Sequence, residues 1–401
     1  MNDVILAPEN GQIERFLSSQ LTCPFDDAVL DFINSLSKYL LEVCRTDYPD
    51  LYALAYWFRA AHIQKIKDQF TKRHSDFLSS PKGTIFQIAP GNVDTLFLYS
   101  GLLGLLMGNR LAIRISSKQT EQLDFLISTL NSLLDEQRFS SVKQRLFIFS
   151  SDHDSLLIKT LSAECDLRVL WGSDSSIRAI RKIELSARTK DLSFPERVSC
   201  SLISAEQVNK TNNISLLISA FVKDISGFSQ QACSSPKCLI WQGSDDEIKA
   251  AKEKFWQELD EVSEQAGLDK TLSELMAKKV SLQKMAVTYP IKNIEEYKTI
   301  SRADINISQI DVSLLKLISG HGLIVQSQIS EIQDLSNILS EHYQTLTYWG
   351  YERDKLLKKI ANKEDVLLNF DRIELIGHAL DFHYIWDGYD LLHEFCRLIK
   401  K

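Results

Sequence analysis

The sequence predicts an α/β protein with two parallel-sheet domains behind a helical amino-terminal segment. Three observations support this. From Lys82 onward, strand-like and helix-like stretches alternate with short connections, which implies a parallel sheet covered by helices. Residues 10–75 lack that alternation and carry apolar residues at helical spacing instead, at Leu30, Ile33, Leu36, Leu40 and Val43. The 401 residues, 44% apolar and 25% charged, suffice for two or three domains with real cores.

Taken in order, Arg59–Arg73 is a mixed-charge helix with a solvated face. Thr84-Ile85-Phe86-Gln87-Ile88 is a strand, and Val93–Met107 a helix stopped by the cap pair Gly108-Asn109. Leu111–Ile115 is a strand, Gln119–Asp135 a helix, Leu146–Phe149 a strand, His153–Ala163 a helix and Leu167–Trp171 a strand. Gly172-Ser173-Asp174 opens the next helix. The alternation is less clean afterwards. An apolar stretch spans Ser215–Val222, and Leu239–Gln242 reads as a strand before a charged helix, Asp245–Ala266. Leu272–Lys284 is helix-prone, and Leu323–Val325 and Thr345–Tyr348 read as strands with a helix after each. The first array runs out near Pro195–Ser201. The expected domains are therefore 1–197, with the amino-terminal helices and a nucleotide-binding sheet, and 198–385, with a second sheet. Residues 386–401 form a tail that packs on the first domain or on a partner subunit.

Composition excludes several classes. A net charge of -7 provides no global field for nucleic acid or anionic lipid. Seven cysteines at irregular spacing, with no CxxC pair, argue against a disulfide framework and a zinc site, so no metal is expected. That usage fits a reducing cytoplasm. Met1-Asn2-Asp3-Val4 has no basic signal-peptide start, and the most apolar segment, Thr95–Asn109, is too short to span a bilayer as a helix.

Four places could carry chemistry. Gln230-Gln231-Ala232-Cys233-Ser234-Ser235-Pro236 sets one cysteine on a turn between apolar elements, where a helix end and its backbone N–H groups would favour the nucleophilic thiolate. A small hydrophobe in a core is the ordinary alternative. Ala89-Pro90-Gly91-Asn92 leaves the carboxyl end of a strand, where open α/β sheets bind ligands; Asn92 could aim an amide at an oxyanion, and an ordinary turn explains the same residues. Arg114 with Ser116-Ser117 puts a planar cation and hydroxyls at a strand end, suited to a ribose or phosphate, and a surface-facing arginine at a strand end explains it equally well. Gly172-Ser173 could hold a pyrophosphate at a helix start, or Ser173 could simply cap it. No GxGxxG or P-loop is present. His321, in Gly320-His321-Gly322, and the segment His378–Asp390 are further polar concentrations, and a lone histidine is more often structural.

Together these pieces resemble a known family. Phe228-Ser229-Gln230-Gln231-Ala232-Cys233-Ser234-Ser235-Pro236 looks like the nucleophile segment of LuxC-type acyl-CoA reductases, the fatty acid reductases of bacterial luminescence systems. Ala379-Leu380-Asp381-Phe382 with Trp386-Asp387-Gly388-Tyr389-Asp390 is similar to that family's carboxyl-terminal signature. Ala89–Val93 and the run from Gly108-Asn109 to Ser116-Ser117 also match, in features shared with the wider aldehyde dehydrogenase superfamily.

The resemblance implies an aldehyde dehydrogenase-like fold of two Rossmann-like domains. It makes Cys233 the nucleophile and Asn92, with the Cys233 backbone N–H, the oxyanion hole. Arg114 falls where the superfamily has a lysine on the adenosine ribose; an arginine there is compatible with a 2′-phosphate and implies NADPH. Ser116 falls beside it, and Gly172-Ser173 at the turn near the cofactor pyrophosphate. The superfamily's Glu-Leu-Gly-Gly general-base segment has no counterpart: the nearest stretch is Leu192-Ser193-Phe194-Pro195-Glu196-Arg197, with Glu196 out of register. A site with no base to activate water suits a reductase. The implied activity is NADPH-dependent reduction of a fatty acyl thioester, from CoA or an acylated carrier or partner protein, to an aldehyde. An acyl-protein synthetase is the implied partner, with a homo-oligomer expected. Two other readings stay open: an acyl relay or thioesterase using Cys233 without reduction, and a non-catalytic scaffold.

Overall fold

The computed structural model describes residues 3–90, 95–116, 120–152, 154–265, 271–297, 299–338, 340–361 and 370–401. The chain divides into two compact units, residues 1–195 with 382–401, and residues 196–381.

The first unit opens with strand β1 (Val4–Ala7) and four helices, α1 (Ile13–Ser18), α2 (Asp27–Val43), α3 (Pro49–Trp57) and α4 (Ala60–Arg73). Asp26 caps α2 by accepting from the N–H groups of Ala28 and Val29, and the helix buries Val29, Phe32, Ile33, Leu36 and Leu40 on one face. In α4 only the stripe Ile63, Ile66, Phe70 is buried, so its charges remain in water. After β2 (Phe77–Pro81) come β3 (Thr84–Ile88), α5 (Leu96–Leu106), β4 (Arg110–Ile115), α6 (Glu121–Leu134) and α7 (Ser140–Arg145). Then follow β5 (Leu146–Ser150), α8 (Leu156–Glu164), β6 (Leu167–Trp171), α9 (Asp174–Ile180) and β7 (Lys190–Phe194).

The sheet order is β1-β5-β4-β3-β6-β7, parallel except for the antiparallel edge strand β1. It is wound both ways from β3, as in dinucleotide-binding sheets. Alternate residues of each strand enter opposite cores. Leu111, Ile113, Leu146 and Ile148 face the amino-terminal helices, α5 and α6, whereas Ala112, Phe147 and Phe149 face α1, α8 and α9. Two edge strands fall where the sequence shows no strand signal. Strand β1 is only four residues long and runs from the exposed Val4 to the buried Ala7, and β7 is polar because Asp191 meets the fully buried Arg168 of β6 through two bonds of 2.7 and 2.9 Å.

The second unit contains β8 (Val198–Ser204), α10 (Ala205–Lys210), α11 (Ser215–Ser226), β9 (Pro236–Gln242), α12 (Asp245–Gln265), α13 (Leu272–Thr288), β10 (Asn293–Glu296) and β11 (Ser301–Asp304). It continues with α14 (Val312–Lys316), β12 (Leu323–Ile329), β13 (Tyr343–Trp349), α15 (Arg353–Ala361) and β14 (Arg372–Leu375). Its seven strands run β10-β11-β12-β9-β8-β13-β14, with β10 antiparallel and the rest parallel. Cys200, Cys238 and Ile240 face one core, Ile203, Leu239 and Trp241 the other. The helix expected after β12 is instead a 3-10 turn, Ile332–Asn337.

The chain then returns to the first unit as a hairpin, β15 (Ile385–Trp386) and β16 (Tyr389–Asp390), helix α16 (Leu391–Glu394), and β17 (Cys396–Lys400), which pairs antiparallel with β2. The hairpin loop is Asp387-Gly388, both with positive φ (46° and 77°), the requirement of a two-residue loop that follows the strand twist. Trp386 packs 5.7 Å from Tyr99, Tyr389 meets Phe194 edge-on, and Asp390 caps α16 while pairing with Arg73 at 2.6 Å. The Trp-Asp-Gly-Tyr-Asp segment is thus a clasp within the first unit.

Candidate active site and family

Cys233 lies between the carboxyl end of α11 and the start of β9, at the amino edge of the second unit's sheet. The local composition predicts a helix end beside the thiol. The chain instead leaves α11 through a 3-10 turn, Gly227–Gln230, in which Phe228, Ser229 and Gln230 are all left-handed (φ 52°, 50° and 62°). Three consecutive non-glycine residues in that region store strain, which the surroundings must hold.

The restraints are specific. The buried Gln230 side chain donates to the carbonyls of Pro236 (2.9 Å) and Leu323 (3.1 Å) and accepts from Gly322 N–H (2.9 Å). It ties the turn to the first residues of β9 and β12. His321 N–H donates to the Ser229 carbonyl at 2.8 Å. Gly320 permits that approach, because a Cβ there would sit 2.6 Å from the same oxygen. Ser199 Oγ donates to the Cys233 carbonyl at 2.6 Å and accepts from Thr345 N–H at 3.1 Å, which fixes the Cys233 backbone to β8 and β13.

A second layer lies behind the turn. Gln231 Nε2 is 3.2 Å from His321 Nε2. An amide nitrogen only donates, so in this arrangement the imidazole accepts at Nε2 and carries its hydrogen on Nδ1. Nδ1 is 3.4 Å from Glu274 Oε1, an electrostatic contact rather than a tight hydrogen bond, and Ser229 Oγ donates to the same oxygen at 2.8 Å. Glu274 is held in place by the capping box of α13. Ser199 and Glu274 carry no signal in the sequence, and Gln230 stands in the cysteine motif without its role being legible there. His321 has only the flanking glycines.

The cysteines separate by environment. None is in a disulfide. Burial pushes the thiols of Cys44 up to about 11 and of Cys165, Cys238 and Cys396 to about 12, and that of Cys200 well above its ordinary value. Those are inert core thiols. Cys233 is half-buried, and the charge of Lys237, on β9, reaches it. Burial lowers the Lys237 ammonium, while Cys233 and then Glu196 act to raise it and Lys316 to lower it. The attraction is mutual, so the cation favours the thiolate. Glu196 is 3.9 Å from Lys316 Nζ, a carboxylate flanked by two lysines.

Below this site, Asp224 of α11 is fully buried and accepts from the N–H groups of Gly377 (2.7 Å) and Ala379 (2.9 Å). Desolvation raises its carboxyl to about 6 in spite of those two bonds. Lys223 Nζ donates to the Gly377 carbonyl at 2.7 Å. The Ala379-Leu380-Asp381 part of the signature therefore anchors the helix that carries the cysteine turn.

In the first unit, Gly172-Ser173 leaves β6 at its carboxyl end, beside the β3 end that runs toward Asn92. These strands flank the point where the sheet order reverses, the usual ligand position. Asn92 and Gly91 lie outside the described residues. Gly172 has φ 153°, and Ser173 Oγ accepts from Ser176 N–H at 3.3 Å, capping α9. Arg114, at the end of β4, is 7% exposed and donates through Nε (3.2 Å) and Nη2 (2.7 Å) to the Ser151 carbonyl. Burial lowers it and Asp152 acts the other way. A cleft of about 660 Å³ opens at the ends of β4 and β5, lined by Ile115, Ser116, Ser150 and Ser151 with Leu123 and Asn131 of α6. Glu9, Asp124 and Asp135 also line this cleft and Arg114 does not, so its hydroxyls suit a ribose better than a phosphate. Among the described residues, no cluster of three or more metal-ligating side chains occurs and no helix is long and apolar enough to cross a membrane.

Solved structures similar to this chain are aldehyde dehydrogenases. Aldehyde dehydrogenase 21 from Physcomitrella patens, in complex with succinate, aligns with a TM-score of 0.68 at 9% identity over 96% of this chain and 88% of its own. The glyceraldehyde-3-phosphate dehydrogenase of Methanocaldococcus jannaschii, complexed with NADP, gives 0.61 at 12% identity over 94% and 87%. The NAD-dependent benzaldehyde dehydrogenase of Corynebacterium glutamicum gives 0.61 at 10% over 98% and 87%. No curated protein matches the chain. Fold and site together define an oxidoreductase with the aldehyde dehydrogenase architecture. Within that class the family model for acyl-CoA reductase (LuxC) matches residues 62–398, and the chain belongs to this family, whose chemistry is the reduction of acyl groups to aldehydes.

Proposed function

We propose that this chain reduces a fatty acyl thioester to a fatty aldehyde with NADPH, through an S-acyl intermediate on Cys233. The observation that carries the reading is the fixed left-handed turn that holds a half-buried cysteine within the field of Lys237, while five other thiols are buried and inert. Cys233 thiolate attacks the thioester carbonyl, a C–S bond forms, and the carrier thiolate leaves. Asn92 and the Cys233 N–H are the oxyanion donors in this reading. NADPH supplies the hydride that takes the acyl carbon to the aldehyde level, with Arg114, Ser116, Gly172 and Ser173 as the residues that would hold it. The C–S bond then breaks, aldehyde departs and Cys233 leaves as thiolate. Glu196, flanked by Lys316 and Lys237, is poorly placed to act as a base on water, which protects the thioester.

The donor is acyl-CoA or an acylated protein delivered by a synthetase partner, and the enzyme works in the cytoplasm as a homo-oligomer. The test is NADPH loss with a series of acyl-CoAs, comparing the parent chain with Cys233→Ala. Loss only in the parent, with trapped aldehyde, is expected. Turnover retained by Cys233→Ala would refute the mechanism, and acylation of Cys233 without NADPH loss would point to an acyl relay. Asn92→Ala should leave a slow enzyme, down about 10²–10³-fold, the usual cost of one oxyanion donor.

A further inference from the structure

We propose that His321 is a positioning residue of the nucleophile turn, and that its protonation state governs the reactivity of Cys233 through the Gln231 amide. This rests on Cys233 being the nucleophile. The histidine reaches the turn twice, by its backbone N–H on the Ser229 carbonyl (2.8 Å) and by Nε2 on the Gln231 amide (3.2 Å). It sits between two glycines, is left-handed itself (φ 58°), and is 7% exposed. A residue so constrained is held for a reason beyond filling space.

The chemistry of the pair is binary. A neutral imidazole accepts from the Gln231 N–H at Nε2. An imidazolium has no lone pair there and can only donate, so the amide must turn over and offer its oxygen, or let go. Either way the side chain two residues before Cys233 changes what it presents. Among the described residues, Glu274 of α13 is 3.4 Å from Nδ1; one turn further along α13 the Lys278 ammonium is near the carbonyls of Tyr297 (3.4 Å) and Thr299 (3.2 Å), and the titratable group of the turn itself is Cys233, two residues from Gln231. The Glu274 carboxylate is an acceptor for a proton on Nδ1 in either state.

The test is the alkylation rate of Cys233 by iodoacetamide across pH, followed by peptide mass, which needs neither NADPH nor an acyl donor. The parent chain should show an inflection in the imidazole range besides that of the thiol. His321→Asn, which tolerates the left-handed backbone but is too short to reach Gln231, should lose that inflection and react about tenfold more slowly, the worth of one hydrogen bond to the turn. His321→Gln, which offers an amide acceptor that does not titrate, should recover the rate without the inflection. Gln231→Leu, at a half-buried position, should reproduce His321→Asn, and the double variant should be no slower. An inflection that persists in His321→Gln, or a Gln231→Leu profile identical to the parent, would overturn the proposal. Should the parent consume no NADPH with any donor, the reductase reading fails while this result stands.

Discussion

At the scale of single residues, the site depends on pairing one strained turn with one buried cation. The Lys237 ammonium bears a desolvation cost that lowers it, and that cost is offset in part by the thiolate it faces. Replacing it with an apolar side chain of similar length should therefore act on Cys233 before it acts on the fold. Lys237→Met is expected to slow alkylation of Cys233 about tenfold at neutral pH and to move the profile upward, since an opposite charge nearby is worth one to three pKa units. An unmoved profile would show that the thiolate is stabilised by something else. Cys233 itself is legible in the sequence, because its flanking residues form a specific pattern. Gln230 is not. Its role exists only once the starts of β9 and β12 are side by side, and nothing near Gln230 in the chain announces either.

Among elements, α11 has two duties. Its carboxyl end launches the left-handed turn, and its buried Asp224 holds the Gly377–Ala379 loop. The folded-state carboxyl, at about 6 against an ordinary 3.8, retains its proton longer than the unfolded chain does. An acid raised on folding contributes most below its unfolded value and loses that contribution as pH rises through the folded one. Comparing the unfolding free energy of the parent with that of Asp224→Asn should show the parent's advantage shrinking by up to about 3 kcal/mol between pH 4 and pH 8. A constant difference would mean the carboxylate is not desolvated in solution. Most helices and most central strands are the legible part of this scale; β8, central and wholly buried, is missed, because its serine-rich start reads as the end of the first array. Thr84–Ile88 and Leu167–Trp171 are read from the sequence with the bounds the structure has, because buried parallel strands are continuous apolar runs between turn residues. The edge strands β1, β7 and β10 escape, being short, polar or half exposed, and the Ile332–Asn337 turn carries apolar spacing without the length to propagate.

For the molecule as a whole, the two sheets put their chemistry at different strand ends. The first unit gathers Arg114, Ser116 and Gly172-Ser173 at carboxyl ends, as the general rule for open sheets anticipates. The second keeps Cys233 at an amino edge, beside the starts of β8, β9 and β12, where that rule does not look. Strand-end reasoning therefore leads to the proposed cofactor residues, whereas the proposed nucleophile is singled out by its local motif. In the proposed reading, cofactor preference would be decided within the first unit, between Arg114 and the Asp152 carboxylate that shares its field. Arg114→Ala should raise KM for NADPH while leaving KM for NADH nearly unchanged; Asp152→Asn should lower KM for NADPH, since a 2′-phosphate no longer faces a like charge. Equal changes for both nucleotides would remove Arg114 from phosphate recognition.

The clasp formed by residues 382–401 also bears on the order of synthesis. A ribosome makes residues 1–195, then all of 196–381, and only afterwards the strand that pairs with Phe77–Pro81 and the tryptophan that packs on Tyr99. The unit that holds Cys233 is one uninterrupted segment and is free to fold during translation. The unit with Arg114 and Gly172 must wait, its Asn109 side chain lacking the Phe395 carbonyl it donates to at 2.8 Å until that residue has emerged. A nascent chain thus acquires its cysteine turn before its first unit is complete, and a stop codon just past Asp381 would release the one without the other.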